Sequence, residues 1–207
     1  MRNDIVKKYL EKYSLGVVEI ENSIEQYESF FKNMGFDKTI DEMISEKVKD
    51  KVFVKIMDLG CGDAGFLIDL KNKFDEAIHT IGVDLLVPTN KPDEMILGDA
   101  LEAEFPKDVD FIFSFRALHE IGEPEKMVEK IHDSLAEGGK AFLSFRTMDL
   151  YMGKEGIAEI SAKEVKTLSK MVSKGKLNNF SIKGFEASVK THEGKNLIAG
   201  VNIFLEK

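Results

Sequence analysis

Ile56-Met57-Asp58-Leu59-Gly60-Cys61-Gly62-Asp63-Ala64-Gly65-Phe66 is the stretch on which the fold turns. A short apolar run, Val52-Phe53-Val54-Lys55-Ile56-Met57, leads into it and predicts a buried strand. The strand ends at an acid, passes into a glycine-rich turn, and continues as the helical pattern Phe66, Leu67, Leu70. Glycine lets a backbone turn sharply and approach a ligand with no Cβ in the way. Such a strand–turn–helix places a nucleotide-like ligand at the carboxyl edge of a doubly wound sheet. The expectation is a nucleoside-containing cofactor.

Gly60-x-Gly62-x-x-Gly65 satisfies the dinucleotide spacing, with Asp84 further along. Asp58 and Asp63 argue the other way. A pyrophosphate seeks backbone N–H groups and a helix dipole, not carboxylates close by. Acids suit a ligand that carries an ammonium or sulfonium group.

On these residues the chain resembles the class I S-adenosylmethionine-dependent methyltransferases, small-molecule type. Asp58 to Gly65 resembles that family's first motif, an acid followed by G-x-G. Ile81-Gly82-Val83-Asp84 is similar to the second strand, whose terminal acid holds the ribose hydroxyls in the family. Gly98-Asp99-Ala100 is similar to the end of the third strand, where an aspartate meets the adenine amino group. Asp110-Phe111-Ile112-Phe113-Ser114-Phe115 resembles the fourth strand. Leu135-Ala136-Glu137-Gly138-Gly139-Lys140-Ala141-Phe142-Leu143 resembles the turn into the fifth, with Glu137 where proline is usual. The match runs from about residue 52 to 146, plus a sheet-completing tail. It implies a cofactor site at Asp58, Gly60, Cys61, Gly62, Asp84, Leu85, Asp99, Ala100 and Ser114. The residue chemistry agrees: an ionised carboxylate is acceptor-only, suited at Asp84 to a cis-diol and at Asp99 to an exocyclic amine. Leu85 is placed to pack on a purine face. Each aspartate taken singly reads first as a solvated loop carboxylate or a helix cap; Asp58, Asp84 and Asp99 together at successive strand ends read as a binding site.

The 207 residues are 43% hydrophobic, enough for one sizeable core. No apolar run approaches the roughly 20 residues of a membrane span, and no signal peptide opens the chain. A single cysteine, Cys61, excludes an internal disulfide and a cysteine zinc cluster. These features predict a soluble, cytoplasmic protein. The net charge of −8 is uneven: residues 52 to 146 carry 10 basic and 19 acidic groups. An acidic core domain disfavours general nucleic-acid binding, which neutralises phosphates.

The first 51 residues read as a helical extension. Ile20, Ile24, Tyr27, Phe31 and Met34 fall on one helical face, and Gly35 is a stop. Thr39-x-x-Glu42 predicts a capping box for a second helix. Tyr13, Tyr27, Phe30 and Phe31 either cover the active site as a lid or pack as core. Further helices are expected over roughly 124 to 135, with Pro124 in the first turn, and over 161 to 174. Runs at about 180 to 190 and 196 to 205 predict an antiparallel hairpin turning at His192 to Asn196.

Methyl transfer from a sulfonium is an in-line displacement, so alignment and exclusion of water dominate. Ser114-Phe115-Arg116-Ala117-Leu118-His119-Glu120-Ile121 follows the fourth strand and is the expected acceptor side. It holds no Asn-Pro-Pro or Asp-Pro-Pro pattern of amino-group methylases and no cysteine nucleophile. His119 is a candidate general base or a residue packed beside the next helix. Glu120 orients His119, binds a cationic substrate, or is a solvated helix-start carboxylate. Arg116 and Arg146 are the only arginines besides Arg2. Guanidinium groups suit bidentate capture of a carboxylate or phosphate, so the two arginines read either as contacts to an anionic acceptor or as salt bridges to the acidic domain. Tyr151 and Met152 line the same pocket or the core. His79, His132 and His192 are scattered and suggest no metal site. Lys163, Lys166, Lys170 and Lys174 form a stripe that reads as a solvated helix face.

The expected architecture is a doubly wound, mostly parallel seven-stranded α/β sheet over residues 52–207, with a C-terminal antiparallel hairpin. The expected function is methyl transfer from S-adenosylmethionine to a small molecule, leaving S-adenosylhomocysteine. Methylation of RNA or a protein side chain, a non-catalytic cofactor-binding module, and a nicotinamide oxidoreductase are the alternatives.

Overall fold

The computed structural model describes residues 6–7, 10–11, 22–33, 35–51, 53–115, 117–121, 123–149, 179–191 and 194–207. Residues 6–7 and 10–11 are helical, and two further helices, α1 (Ile24–Asn33) and α2 (Ile40–Asp50), precede the sheet. The sheet begins with β1 (Val54–Leu59), followed by α3 (Gly65–Phe74), β2 (Ile78–Asp84), β3 (Glu94–Leu97) and β4 (Val109–Ser114). A four-residue helix α4 (Leu118–Ile121) and α5 (Pro124–Ser134) lead into β5 (Leu135–Asp149), β6 (Asn179–Thr191) and β7 (Gly194–Glu206).

The seven strands lie in the order β3-β2-β1-β4-β5-β7-β6. β3 to β5 are parallel to their neighbours; β7 runs antiparallel between β5 and β6. The doubly wound sheet with its antiparallel end is therefore as the sequence predicts.

Alternation along the strands divides the core into two. Met57, Ile112 and Leu143 lie in one buried cluster with Met127, Val128 and Ile131 of α5. Their neighbours Ile56, Phe113 and Phe142 lie in a second, with Tyr27, Phe31, Ile40, Ile44, Phe66 and Leu67. Successive residues of a strand point to opposite faces, so one face takes α5 and the other takes α1, α2 and α3. An aromatic chain runs through the second cluster: Phe113 and Phe142 stack at 5.4 Å between centroids, Phe31 meets Phe142 at 4.7 Å, and Phe142 meets Phe204 at 5.3 Å.

Local signals place most elements. Thr39 and Glu42 form the full capping box of α2. Gly35 N–H donates to Lys32 O after α1, with φ +80°. The first helix starts later than its apolar face suggests: Asn22 is bonded to Cys61 and Asp63, and Ser23 precedes the first turn, its hydroxyl accepting from Gln26 N–H at 3.4 Å. β1 is shifted two residues from the predicted 52–57: Phe53 is exposed, and parallel pairing runs from Val54↔Ile78 to Leu59↔Val83. Asp58 is consequently inside the strand. The β6–β7 pairing continues to Thr191↔Gly194, tighter than the predicted turn. The predicted helix at 161 to 174 with its lysine stripe, and Tyr13, Arg116, Tyr151, Met152 and His192, lie outside the described residues. No helix among the described residues is long and apolar enough to cross a membrane.

Candidate active site

The carboxyl ends of β1, β2 and β4 converge on the glycine turn. Gly60 N–H and Cys61 N–H both donate to Val83 O, at 2.7 and 3.2 Å, so the turn folds back over the end of β2. Gly60 has φ +75° and passes so close to the start of α4 that a Cβ there would lie 2.2 Å from Ala117 Cβ. No other residue type fits that approach. At Gly65 a Cβ would meet Asn22 O at 2.2 Å, because the N-terminal segment crosses the first turn of α3.

That crossing is held by several hydrogen bonds. Asn22 Nδ2 donates to Cys61 O at 2.9 Å, and Asp63 Oδ1 accepts from Asn22 N–H at 3.1 Å and Gly65 N–H at 3.0 Å. Ile24 N–H donates to Asp69 Oδ2 at 3.0 Å. Tyr27 stacks on Phe66 at 3.9 Å between centroids and donates its hydroxyl to Asp58 Oδ2 at 2.8 Å. Tyr27 and Phe31 are buried as core residues beneath the loop.

Asp84, also buried, accepts from Gly62 N–H at 2.9 Å and Leu86 N–H at 3.0 Å. It holds the glycine loop against the end of β2. Asp99 is half-buried and caps its own turn by accepting from Leu101 N–H at 3.0 Å. That turn is gripped from α5 by Lys130 Nζ, which donates to the carbonyls of Ala100, Leu101 and Ala103 and lies over the Phe105 ring.

Asp58 differs from both. It is fully buried, and its Oδ1 has no hydrogen-bond donor. Burial, with the carboxylates of Asp84 and Asp63 adding to it, pushes its pKa up to about 8 against the pull of the Tyr27 hydroxyl. Burial, then the neighbouring Asp58, Asp84 and Asp63, push the Cys61 thiol up, leaving it a packing residue rather than a nucleophile. Ser114 spends its hydroxyl inside the sheet, donating to Leu59 O at 2.9 Å. Ala100 is buried in the first core cluster, and Leu85 is half-buried beside Asp84.

Asp58, Gly60, Cys61, Gly62, Asp84, Leu85 and Ser114 thus meet at one sheet edge. The Gly98 N–H bond to Asp84 O brings the Asp99–Ala100 turn to it. His119 falls in α4, directly after that edge, and Arg146 falls on β5, paired with Gly200. A profile of the methyltransferase-domain family covers residues 25–190, most of the chain.

The chain belongs to that family. It is a class I S-adenosylmethionine-dependent methyltransferase domain. Solved structures share its fold at low identity. Phosphoethanolamine N-methyltransferase 2 of Haemonchus contortus, in complex with phosphomonomethylethanolamine and S-adenosylhomocysteine, superposes with a TM-score of 0.52 and 14% identity. The superposition covers 75% of this chain and 49% of that one, so the methyltransferase domain described here spans about half the length of that protein. The arsenic(III) methyltransferase of Chlamydomonas reinhardtii gives 0.52 and 14%, over 78% of this chain and 70% of its own. The YcgJ protein of Bacillus subtilis gives 0.52 and 12%, over 81% and 98%. A comparison with curated proteins finds no match.

The family's cofactor, S-adenosylmethionine, fits the residues present. A buried carboxylate oxygen without a donor is a place for a cation, and the acidic surroundings suit an ammonium or sulfonium better than a pyrophosphate. Sequence reasoning missed the hydrogen bonds of Asn22 and Lys130 and the Tyr27–Asp58 bond. Tyr27 was visible as one member of an apolar face and as a lid-or-core aromatic, not as a partner of Asp58, and nothing in the spacing marks Asn22 or Lys130.

Proposed function

We propose that this domain transfers the methyl group of S-adenosylmethionine to a small anionic molecule. The observation that carries the cofactor half is Asp58, buried at the glycine turn with one carboxylate oxygen lacking a donor. The bound cofactor would supply an electrophilic methyl group. Asp58 would hold its cationic end, Gly60, Cys61 and Gly62 would give it backbone room, and Asp84 would accept from the ribose hydroxyls. Leu85, Asp99 and Ala100 would receive the adenine, with Lys130 keeping their turn in shape. The protein's work is then to align donor and acceptor and to keep water out.

The acceptor half rests on Arg116, His119 and Arg146. The register Ser114↔Leu143 places the end of β4 beside the β5 segment that leads to Arg146. Arg116 stands two residues beyond Ser114 in sequence. Two arginines in these stretches of the sequence suit a phosphate or carboxylate on the acceptor. His119 would take a proton where the attacking atom starts protonated. The Haemonchus neighbour binds a phosphorylated amine and the Chlamydomonas neighbour acts on arsenic(III), both small species.

Calorimetric titration with S-adenosylmethionine, S-adenosylhomocysteine and NADH tests the cofactor. Adenosyl ligands should bind in the micromolar range; binding of NADH alone would overturn the reading. A screen of phosphorylated, carboxylated and neutral small acceptors with wild type and Arg146→Gln tests the rest. The variant should raise the acceptor KM at least tenfold and leave cofactor affinity unchanged. Activity confined to neutral acceptors would sink the anionic assignment.

A further inference from the structure

We infer that Tyr27 is a positioning residue of the cofactor site, holding the Asp58 carboxyl by one oxygen so that a ligand cation meets the other and loading expels a proton. This inference rests on the cofactor assignment proposed above.

The geometry has three parts. The Tyr27 ring is fixed by packing: it stacks on Phe66 at 3.9 Å and meets Phe115 edge-on at 5.0 Å. Its hydroxyl therefore reaches Asp58 Oδ2, 2.8 Å away, from a frame independent of that bond. Asp58 Oδ1, equally buried, has no donor. Leaving an ionised oxygen buried and unbonded is costly, so the acid form is favoured until a cation arrives.

Among the groups facing Asp58 the carboxylates act the same way, and the Tyr27 hydroxyl pulls against them. Asp63 and the Cys61 thiol come from the glycine turn, and Asp84 comes from the end of β2. The helix α1 contributes the Tyr27 hydroxyl, and α3 and β4 present the uncharged rings of Phe66 and Phe113. No cation among the described residues pairs with Asp58. Burial and these carboxylates raise its pKa to about 8, so the free protein carries the proton at neutral pH. A ligand ammonium or sulfonium reverses the balance, because an opposite charge nearby favours the carboxylate. The Asp58 O–H bond breaks, the proton leaves to solvent, and the carboxylate stays with the cation.

Isothermal titration of S-adenosylhomocysteine and S-adenosylmethionine at pH 6.5, in buffers of different ionisation enthalpy, reads the released protons. Wild type should release about one proton per ligand. Asp58→Asn should bind more weakly and release none. Tyr27→Phe keeps the ring packing, and should bind about tenfold more weakly while still releasing a proton. A second measurement needs no ligand. Asp58 is protonated in the folded chain and ionised in the unfolded chain between about pH 4 and 8. Stability of the free wild type should therefore fall as pH rises through that window, and Asp58→Asn should lose this component. Binding with buffer-independent heat in wild type overturns the inference while leaving the cofactor reading intact. Equal proton release from Asp58→Asn overturns it as well. Failure of both adenosyl ligands to bind overturns the cofactor reading and this inference together.

Discussion

Asp58 and Asp110 are equally buried aspartates on adjacent parallel strands, at 0% and 1% exposure, and their surroundings are opposite. Asp110 stands at the amino end of β4. It accepts two hydrogen bonds from Lys51 Nζ, at 2.9 and 2.7 Å, and one from Lys55 N–H at 2.9 Å, with Lys47 Nζ at 3.8 Å. Asp58 stands near the carboxyl end of β1 with one phenolic donor, one unbonded oxygen and two further carboxylates close by. A buried charge that is fully paired ties the end of α2 to the sheet. A buried carboxyl left short of partners is what the proposed cofactor site needs for a ligand cation. In this fold the division follows the sheet: ligands of doubly wound sheets gather at the carboxyl ends of the strands, while the amino ends have only a scaffold to hold.

The difference can be broken most severely at Asp110. Asp110→Ala removes three bonds to a charged acceptor and should destabilise the chain by about 3 kcal/mol, read by urea denaturation, with cofactor affinity unchanged in the remaining folded protein. A change in affinity of more than threefold would show that the two ends are coupled after all. Asp84 lies on the ligand side, so the expectation inverts. Asp84→Ala should weaken S-adenosylhomocysteine binding about 100-fold, roughly 2.7 kcal/mol. Unfolding free energy should move by less than half of that.

Gly60→Ala sharpens the same contrast without touching a charge. A Cβ 2.2 Å from Ala117 at a positive φ must push the glycine turn and the start of α4 apart. A loss of about 2 kcal/mol in stability is expected, together with a weaker cofactor; retained affinity would place the ligand away from this turn. The smallest effect is expected at Lys130, which serves the carbonyls beside Asp99 as Lys51 serves Asp110. Lys130→Met keeps the stem on Phe105 and should cost about 1 kcal/mol. Its signature is a loss of affinity for adenosyl ligands that Lys130→Arg partly restores.

Legibility in the sequence followed the range of the interaction. The Thr39–Glu42 capping box, the Gly35 stop and Pro124 in the first turn of α5 were all readable, because each acts within four residues. The glycine turn and the acids at Asp58, Asp84 and Asp99 were readable as spacing. The edges of β1 were not, because pairing with β2 rather than local hydropathy decides that Phe53 is left out and Asp58 is taken in. Asn22 and Tyr27 were legible as a segment with an apolar face. Their attachment to Cys61 and Asp58 crosses 39 and 31 residues and leaves no period in the chain.

What the sequence by itself determined is the order of the described strands and the glycine turn that follows the first of them: alternating strand and helix patterns with glycine and acid at their junctions permit little else. What only the tertiary structure decided is which acids are satisfied. Asp58 and Asp110 are the same residue type in similar apolar runs. Their difference comes from Lys47 on α2 and Lys51 just past its end arriving at one end of the sheet, and Tyr27 arriving on α1 at the other. Burial raises the cost of any unpaired charge, so the donor that folding brings to each carboxyl separates scaffold from site.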